Sequence, residues 1–595
     1  MATKRLDSGW TLTCGVWPPF LMPSLTDVRS ALREQGILRQ ESAGLDPVYE
    51  RWVEAQAWTY ALDFDCPDED ERISLRFEML SGKGAVRLNG RTLTEFDRGE
   101  LTVDVTRDVL PEKNRLEVSI YLGVLGRFPW GILGPVWLRT TNYVELKRVR
   151  ATASEGVIKV ASDLVAHTAG RFLFKYQVSL DGEMALASEV YERLRAVEAR
   201  VEHALKLPSP VKWDGEQYYT VRLSVERSSV ACDSVLLNAA MDAPPPRRVV
   251  GVPAERLRDR DLIRALRNMG AEAVRAPFAE WVNALVPFDL LPDGLLLTDD
   301  EEWPKEYTCN RYYDLLATPE PRALEKLAGG EKFWPPNTPA WRATKSLCPP
   351  QRDVEALYGA NALGDAARYA RLSRFAQAET FRALALNARR VGEAFDVWAT
   401  EANPMFLSAT IIEHSGKARP VYGALKQAWG ACAAFEFPEP FEASLPLKVW
   451  LYPGGEMRQP VTVTASVYRL DGTLIASTSF AAMPGEEALL GELKATLPEE
   501  GIVIARAELS DGGKTSRIDQ VICFAKHGTP KRSMLLNPPR SELRLSGGEL
   551  SCTGPVAALG VFTAGFYGAL LPGEKIALPG GIVPEDIESL NGQIL

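Results

Sequence analysis

Residues 257–277 read LRDRDLIRALRNMGAEAVRAP. Two periods meet in this stretch. The first part carries its apolar residues at helical spacing and stops at Gly270, a residue type that commonly ends a helix. AEAVRAP then reads as a short strand. Further on, AEWVNALVPFDLL reads as a helix and GLLLT, residues 294–298, as another strand. NALGDAARYARLSRFAQAETFRALALNARRVG predicts a long helical stretch interrupted at most once, and AFDVWATEANP a strand that ends in polar residues. Alternation of this kind makes a parallel α/β unit, of which a barrel is one form.

The sequence on either side has a different texture. From Trp58 to about Ala240 short alternating runs (WTYALDF, ISLRFEML, AVRLNG, LTVDVT, RLEVSIYLG) are broken by turns such as LNG and PEKN. VELKRVRATA, VIKVASD, RFLFKYQVSL and YYTVRLSVE continue the pattern, which is that of antiparallel sandwiches. Residues 187–204, rich in Glu, Arg and Ala, read either as a strand with a charged face or as a short helix. After Phe435 strands return in LPLKVWLYP, VTVTASVYRL, IVIARAELS and IDQVICFA. Residues 530–539 read as a linker to one more small β-domain.

Length and composition bound the function. A chain of 595 residues is too long for one core, so three to five domains are expected. A net charge of −10 with no basic block argues against a nucleic-acid partner. No apolar run reaches the length of a membrane span, and the first residues, MATKRLDSGWTLTCGVWPPF, show no secretion signal, so a cytoplasmic location is expected. The eight cysteines form no CxxC pair and read as reduced core thiols; the four histidines match no metal-ligand spacing. No metal or cofactor is expected. GxxxxGK[ST] and GxSxG are absent.

The order sandwich, sandwich, α/β core, sandwiches resembles glycoside hydrolase family 2, its β-mannosidase branch in particular. DPVYERWVEAQAWTYALDF, with Trp52, Trp58 and Tyr60, looks like that branch's entry into its jelly-roll domain, and VRLNGRTL, VDVT and ILGPVWL resemble its continuation. LPSPVKWDGEQYYTVRLSV is similar to the strands that close the second sandwich. RNMGAEAVRAP puts Arg275 at the family's arginine position. YARLSRFAQAETFRALALNARR, WATEANP and GKARPVYGALKQAW resemble the last helix–strand–helix of the barrel, and FYGALLPGEKIAL the final domain. The resemblance implies a jelly-roll sugar-binding-like domain at 1–141, an immunoglobulin-like sandwich at 142–244, a shortened (β/α) barrel-like core at 245–435, a second immunoglobulin-like sandwich at 436–530 and a small β-domain at 531–595. The expected fold class is therefore β-sandwich plus α/β, with sandwiches around a truncated or incomplete barrel.

The core departs from the family pattern. It spans about 190 residues, against roughly 250 for an eight-stranded barrel. The family's Asn-Glu pair occurs nowhere in the chain, and Ser-Glu occurs only at 154–155, 188–189 and 541–542, outside the core. Middle βα units are expected to be missing, and an uncovered strand edge would call for a cover from residues 304–350 or a homodimer.

Retaining glycosidases use two carboxyl groups about 5–5.5 Å apart at the mouth formed by the strand ends. GLLLTDDEEW offers Asp300, Glu301, Glu302 and Trp303 just past a strand; WATEANP offers Glu401 and Trp398. Glu301, Glu302 and Glu401 are the catalytic candidates; Arg275, Asp300, Trp303 and Trp398 are the substrate-binding ones. The bland readings are a solvated acidic turn, a core tryptophan at 398 and a structural ion pair for Arg275. Lys417 and Arg419 read as ordinary surface charges. The expected function is retaining β-glycosidase, mannosidase-like, on β-linked sugars. The alternatives are a non-catalytic carbohydrate-binding or scaffold protein, or a hydrolase completed by a partner chain.

Overall fold

The structure, a computed structural model, describes the chain apart from residues 1–2, 41–44, 67–71, 98, 123–129, 214–217, 244–245, 253–255, 257–258, 277–295, 300–315, 335–337, 340–352, 401–406, 438–445, 455–456, 458, 484, 499, 526–531 and 564. Most of it is sandwiched sheet. At the front a six-stranded sheet, from Trp17–Leu21 at one edge to Arg91–Phe96 at the other, faces a five-stranded sheet built around Arg72–Ser81. Alternating residues of the two sheets point inward, so Trp58, Tyr60, Leu75, Phe77, Val118 and Leu138 share one core.

A three-stranded sheet (Val144–Ser154, Val157–Ala166, Glu198–Lys206) then packs on a four-stranded one (Glu183–Leu194, Gly170–Leu180, Tyr219–Arg227, Val230–Ala239). Both halves of residues 187–204 are therefore strand: the charges alternate outward while the neighbours pair, and that decides against the helix. A buried ion pair joins this sandwich to the first, with Arg139 Nη2 donating to Asp233 Oδ1 and Oδ2 at 2.7 and 2.9 Å.

The α/β region places four parallel strands side by side: β1 (Arg248–Gly251), β2 (Ala273–Ala276), β3 (Leu296–Asp299) and β4 (Phe395–Trp398), in the spatial order β3-β2-β1-β4. The first strand thus lies between the second and the last described one. Helix α1 (Arg260–Met269) connects β1 to β2. Its start is fixed by Asp259, whose carboxylate accepts from Leu262 N at 3.0 Å, and its end by Gly270 at φ 102°, a left-handed turn that a side chain would strain.

Helices α2 (Pro321–Ala328), α3 (Ala366–Val391) and α4 (Pro420–Trp429) follow. The sequence expectation for the long helix holds, with a single 3-10 turn, Ala360–Leu363, ahead of it. Val250, Val274 and Val397 from one face of the sheet pack with Leu262, Ile263, Leu266, Phe381, Leu425 and Trp429 from the helices. Each such side chain contributes about 1.5–3 kcal/mol by leaving water.

Two further β units complete the chain. Cys432–Glu436, Leu447–Tyr452 and Ala488–Leu493 face a four-stranded sheet centred on Val461–Arg469 and Gly501–Asp511. The last residues form a four-stranded sheet and a hairpin, Ala558–Thr563 with Phe566–Leu570. All six described cysteines are free thiols, and Cys232, Cys432, Cys523 and Cys552 are buried.

Candidate functional site

Parallel register decides which residues share a face. Gly251 lies level with Arg275 on one side and Trp398 on the other, and Val249 is level with Asp396. Side chains alternate along a strand, so Arg275, Asp396 and Trp398 all stand on the face opposite the helix-packed valines. Arg275 Nη2 donates to Asp396 Oδ2 at 2.7 Å across β1, and its guanidinium carbon lies 5.2 Å from the centre of the Trp398 ring. At this distance the ring quadrupole attracts the cation. The Arg275 and Asp396 side chains are 16% and 11% exposed.

Gly251 makes the Trp398 placement possible. A Cβ there would lie 3.0 Å from ring atoms Cδ2 and Cε3 of Trp398. The missing side chain lets the indole lie across β1.

Of the residues singled out from the sequence, Arg275 and Trp398 are brought together. Asp300, Glu301, Glu302, Trp303 and Glu401 lie outside the described residues, as do the helix read in AEWVNALVPFDLL and most of residues 304–350. Of GLLLT, the described residues 296–298 are strand as expected, with β3 running to Asp299. Asp396 was missed. Its signal was an acid two residues before Trp398 in the otherwise apolar FDVW, hence on the same face as the tryptophan.

Beyond β4 the chain returns beside its own strand: Ile411 N donates to Trp398 O at 3.1 Å and Ile412 N to Ala399 O at 2.8 Å. Buried polar groups hold this return segment. Thr400 Oγ1 donates to Glu413 O at 3.3 Å, and Glu413 Oε1 accepts from Arg374 Nη1 at 2.7 Å and from Glu320 N at 3.1 Å. Arg374 also donates through Nε and Nη2 to both carboxylate oxygens of Glu588, at 2.7 and 2.6 Å, and through Nη1 to Thr318 O. Burial works against the Arg374 charge, yet Glu588 and Glu413 outweigh it and hold the guanidinium above its ordinary value.

The expectation that Lys417 and Arg419 are surface charges fails. Arg419 is 1% exposed and donates to Ala317 O and Ser408 O at 3.1 and 3.2 Å, because those carbonyls face inward where α4 begins. Lys417 is half-buried and donates to Glu320 Oε2 at 2.6 Å. A cavity of about 290 Å³ lies between α3, the start of α4 and residues 584–594, lined in part by Arg371, Arg374 and Glu588; none of Arg275, Asp396 and Trp398 lines it. Among the described residues no three His, Cys, Asp or Glu side chains gather as a metal ion would require.

Comparison with known proteins bears on the fold. Residues 10–125 match the family model of the glycosyl hydrolase 2 galactose-binding domain-like domain. No curated protein sequence matches the chain. Among solved structures, the β-D-mannosidase from Dictyoglomus thermophilum aligns over 100% of both chains with a TM-score of 0.74 at 13% identity. The Amycolatopsis orientalis exo-chitosanase CsxA aligns over 100% of this chain and 99% of its own, with a TM-score of 0.65 at 14% identity. The resemblance to glycoside hydrolase family 2 is supported in the first sandwich, which matches that family's domain model, and the whole chain shares the multidomain β-rich fold of the β-D-mannosidase and the exo-chitosanase.

Proposed function

We propose that this protein is a glycoside hydrolase that cleaves β-linked sugars with retention, in the manner of a β-mannosidase, on a shortened barrel. The observation that carries the reading is the grouping of Arg275, Asp396 and Trp398 on the face opposite the helix-packed valines of a parallel sheet whose first strand adjoins its last described one. First-to-last adjacency is how a barrel closes. The end-to-end fold likeness to a β-D-mannosidase and an exo-chitosanase supports the same reading.

In this account Trp398 offers its ring to the apolar face of a sugar, and Asp300 and Trp303 are further sugar-binding residues. Glu401 and one of Glu301 and Glu302 are the two carboxyls. One protonates the glycosidic oxygen as the C–O bond breaks, while the other forms a bond to the anomeric carbon. Water, deprotonated by the first, then displaces the second and regenerates both. Arg275, held by Asp396, supplies fixed positive charge on this face. The domain limits at 141, 244, 435 and 530, a cytoplasmic location and a homodimer belong to the same proposal.

The second reading is carbohydrate binding without hydrolysis. The absence of Asn-Glu and Ser-Glu from residues 245–435 favours it, and so does an Arg275 already engaged by an internal carboxylate. Following p-nitrophenyl β-D-mannoside by proton NMR separates the two. The hydrolase reading expects β-mannose as the first product; α-mannose first, or no turnover with retained mannoside binding, overturns it.

A further inference from the structure

Glu588, near the end of the chain, is linked to the backbone at the end of β4 through a run of buried and part-buried contacts. Glu588, in the C-terminal unit, holds Arg374 of α3 with two hydrogen bonds of 2.7 and 2.6 Å. Arg374 is 2% exposed and has a second carboxylate, Glu413, at 2.7 Å. Glu413 belongs to the segment whose amides at Ile411 and Ile412 donate to the carbonyls of Trp398 and Ala399, and its own carbonyl accepts from Thr400. Around this line Lys417 joins Glu320 to the carbonyl of Glu585 at 2.6 and 3.0 Å.

An ordinary packing role would be filled by apolar residues at equal or lower cost, because replacing a buried ion pair by apolar groups is often neutral or stabilising. What an ion-paired run adds is geometry. Charge-assisted bonds at both ends of a planar guanidinium fix its plane and the positions of both carboxylates. The segment thus fixed is the one that bonds the backbone of Trp398.

We propose that Glu588, Arg374 and Glu413 are positioning residues that set the placement of Trp398 from the C-terminal unit. The inference deepens the reading of Trp398 as the sugar-facing ring. Arg374 and its two carboxylates touch no sugar and act through the strand-end backbone.

The test labels the full-length protein with 5-fluorotryptophan and assigns the Trp398 fluorine resonance from its loss in Trp398→Phe. Glu588→Gln and, independently, Glu413→Gln are expected to shift or broaden that resonance. Glu574→Gln serves as the control: it removes a carboxylate of the same C-terminal unit that pairs with Arg506 and Arg517 instead, and it should leave the Trp398 resonance in place. In parallel, the dissociation constant for methyl 1-thio-β-D-mannoside should rise about threefold to thirtyfold in Glu588→Gln and not in Glu574→Gln, the range that mutations along such coupled contacts produce. A Trp398 resonance that ignores both Glu588→Gln and Glu413→Gln while each variant lowers the melting temperature would overturn the proposal and leave a structural staple. A resonance that moves in both variants of a protein whose wild type binds no mannoside keeps the linkage and discards the sugar reading.

Discussion

Arg275 reaches over the whole width of β1 to meet Asp396, with Nη2 2.7 Å from Oδ2. The two residues are 121 positions apart in sequence, and their pairing ties the second strand of the sheet to the last described one.

Removing one partner alone is expected to be costly. Asp396→Ala leaves a guanidinium with little water beside the Trp398 ring and should lower stability by about 2–4 kcal/mol, toward the low end for buried pairs because both side chains keep some exposure. The double variant Arg275→Met with Asp396→Leu should recover most of that loss. Urea denaturation of the three proteins checks it; a double variant no more stable than Asp396→Ala would show that the pair's charge is not the source of the effect.

Gly251→Ala tests the seat of the tryptophan. The added methyl group meets a rigid ring at 3.0 Å, so the indole must shift. A destabilisation of about 1–3 kcal/mol is expected from overpacking, with weaker mannoside binding. Combined with Trp398→Ala, which empties the space, the Gly251→Ala penalty should disappear from the melting temperature.

A pH effect is expected where the first two sandwiches meet. Burial pushes the Glu100 carboxyl up to about 7 from an ordinary 4.5, against the opposing pull of Arg76 and a hydrogen bond from Thr102. A carboxyl raised in the folded state favours the protonated form there. Its contribution to stability is therefore fully present below about pH 4.5 and lost as the pH rises through about 7. Glu100→Gln should be more stable than the wild type above pH 7 and show a flatter stability profile between these limits. Melting curves across that range measure it, and parallel profiles for the two proteins would refute it.

The sandwiches and the strand–helix alternation were legible because they rest on local periods. LRDRDLIRALRNMG gave a helix with its stop at Gly270, and the structure closes that helix with the same residue in a left-handed turn. Residues 187–204 were ambiguous because their charges alternate on an exposed face, and pairing with neighbouring strands, a non-local contact, decided for strand. Asp396 escaped because its importance lies in register across two strands, which no single segment displays. Arg419 was misread for a related reason. Nothing in GKARP announces that the carbonyls of Ala317 and Ser408 will surround its guanidinium.

Hydrolysis of aryl β-mannoside, β-glucoside and β-galactoside by the wild type and by Glu301→Gln, Glu302→Gln and Glu401→Gln tests the central claim most directly. The account predicts turnover of at least one glycoside by the wild type. It also predicts a loss of several orders of magnitude in Glu401→Gln and in one of the other two variants, with folding intact. Wild-type turnover undiminished in all three variants, or no turnover of any aryl glycoside by a folded wild type, would contradict it.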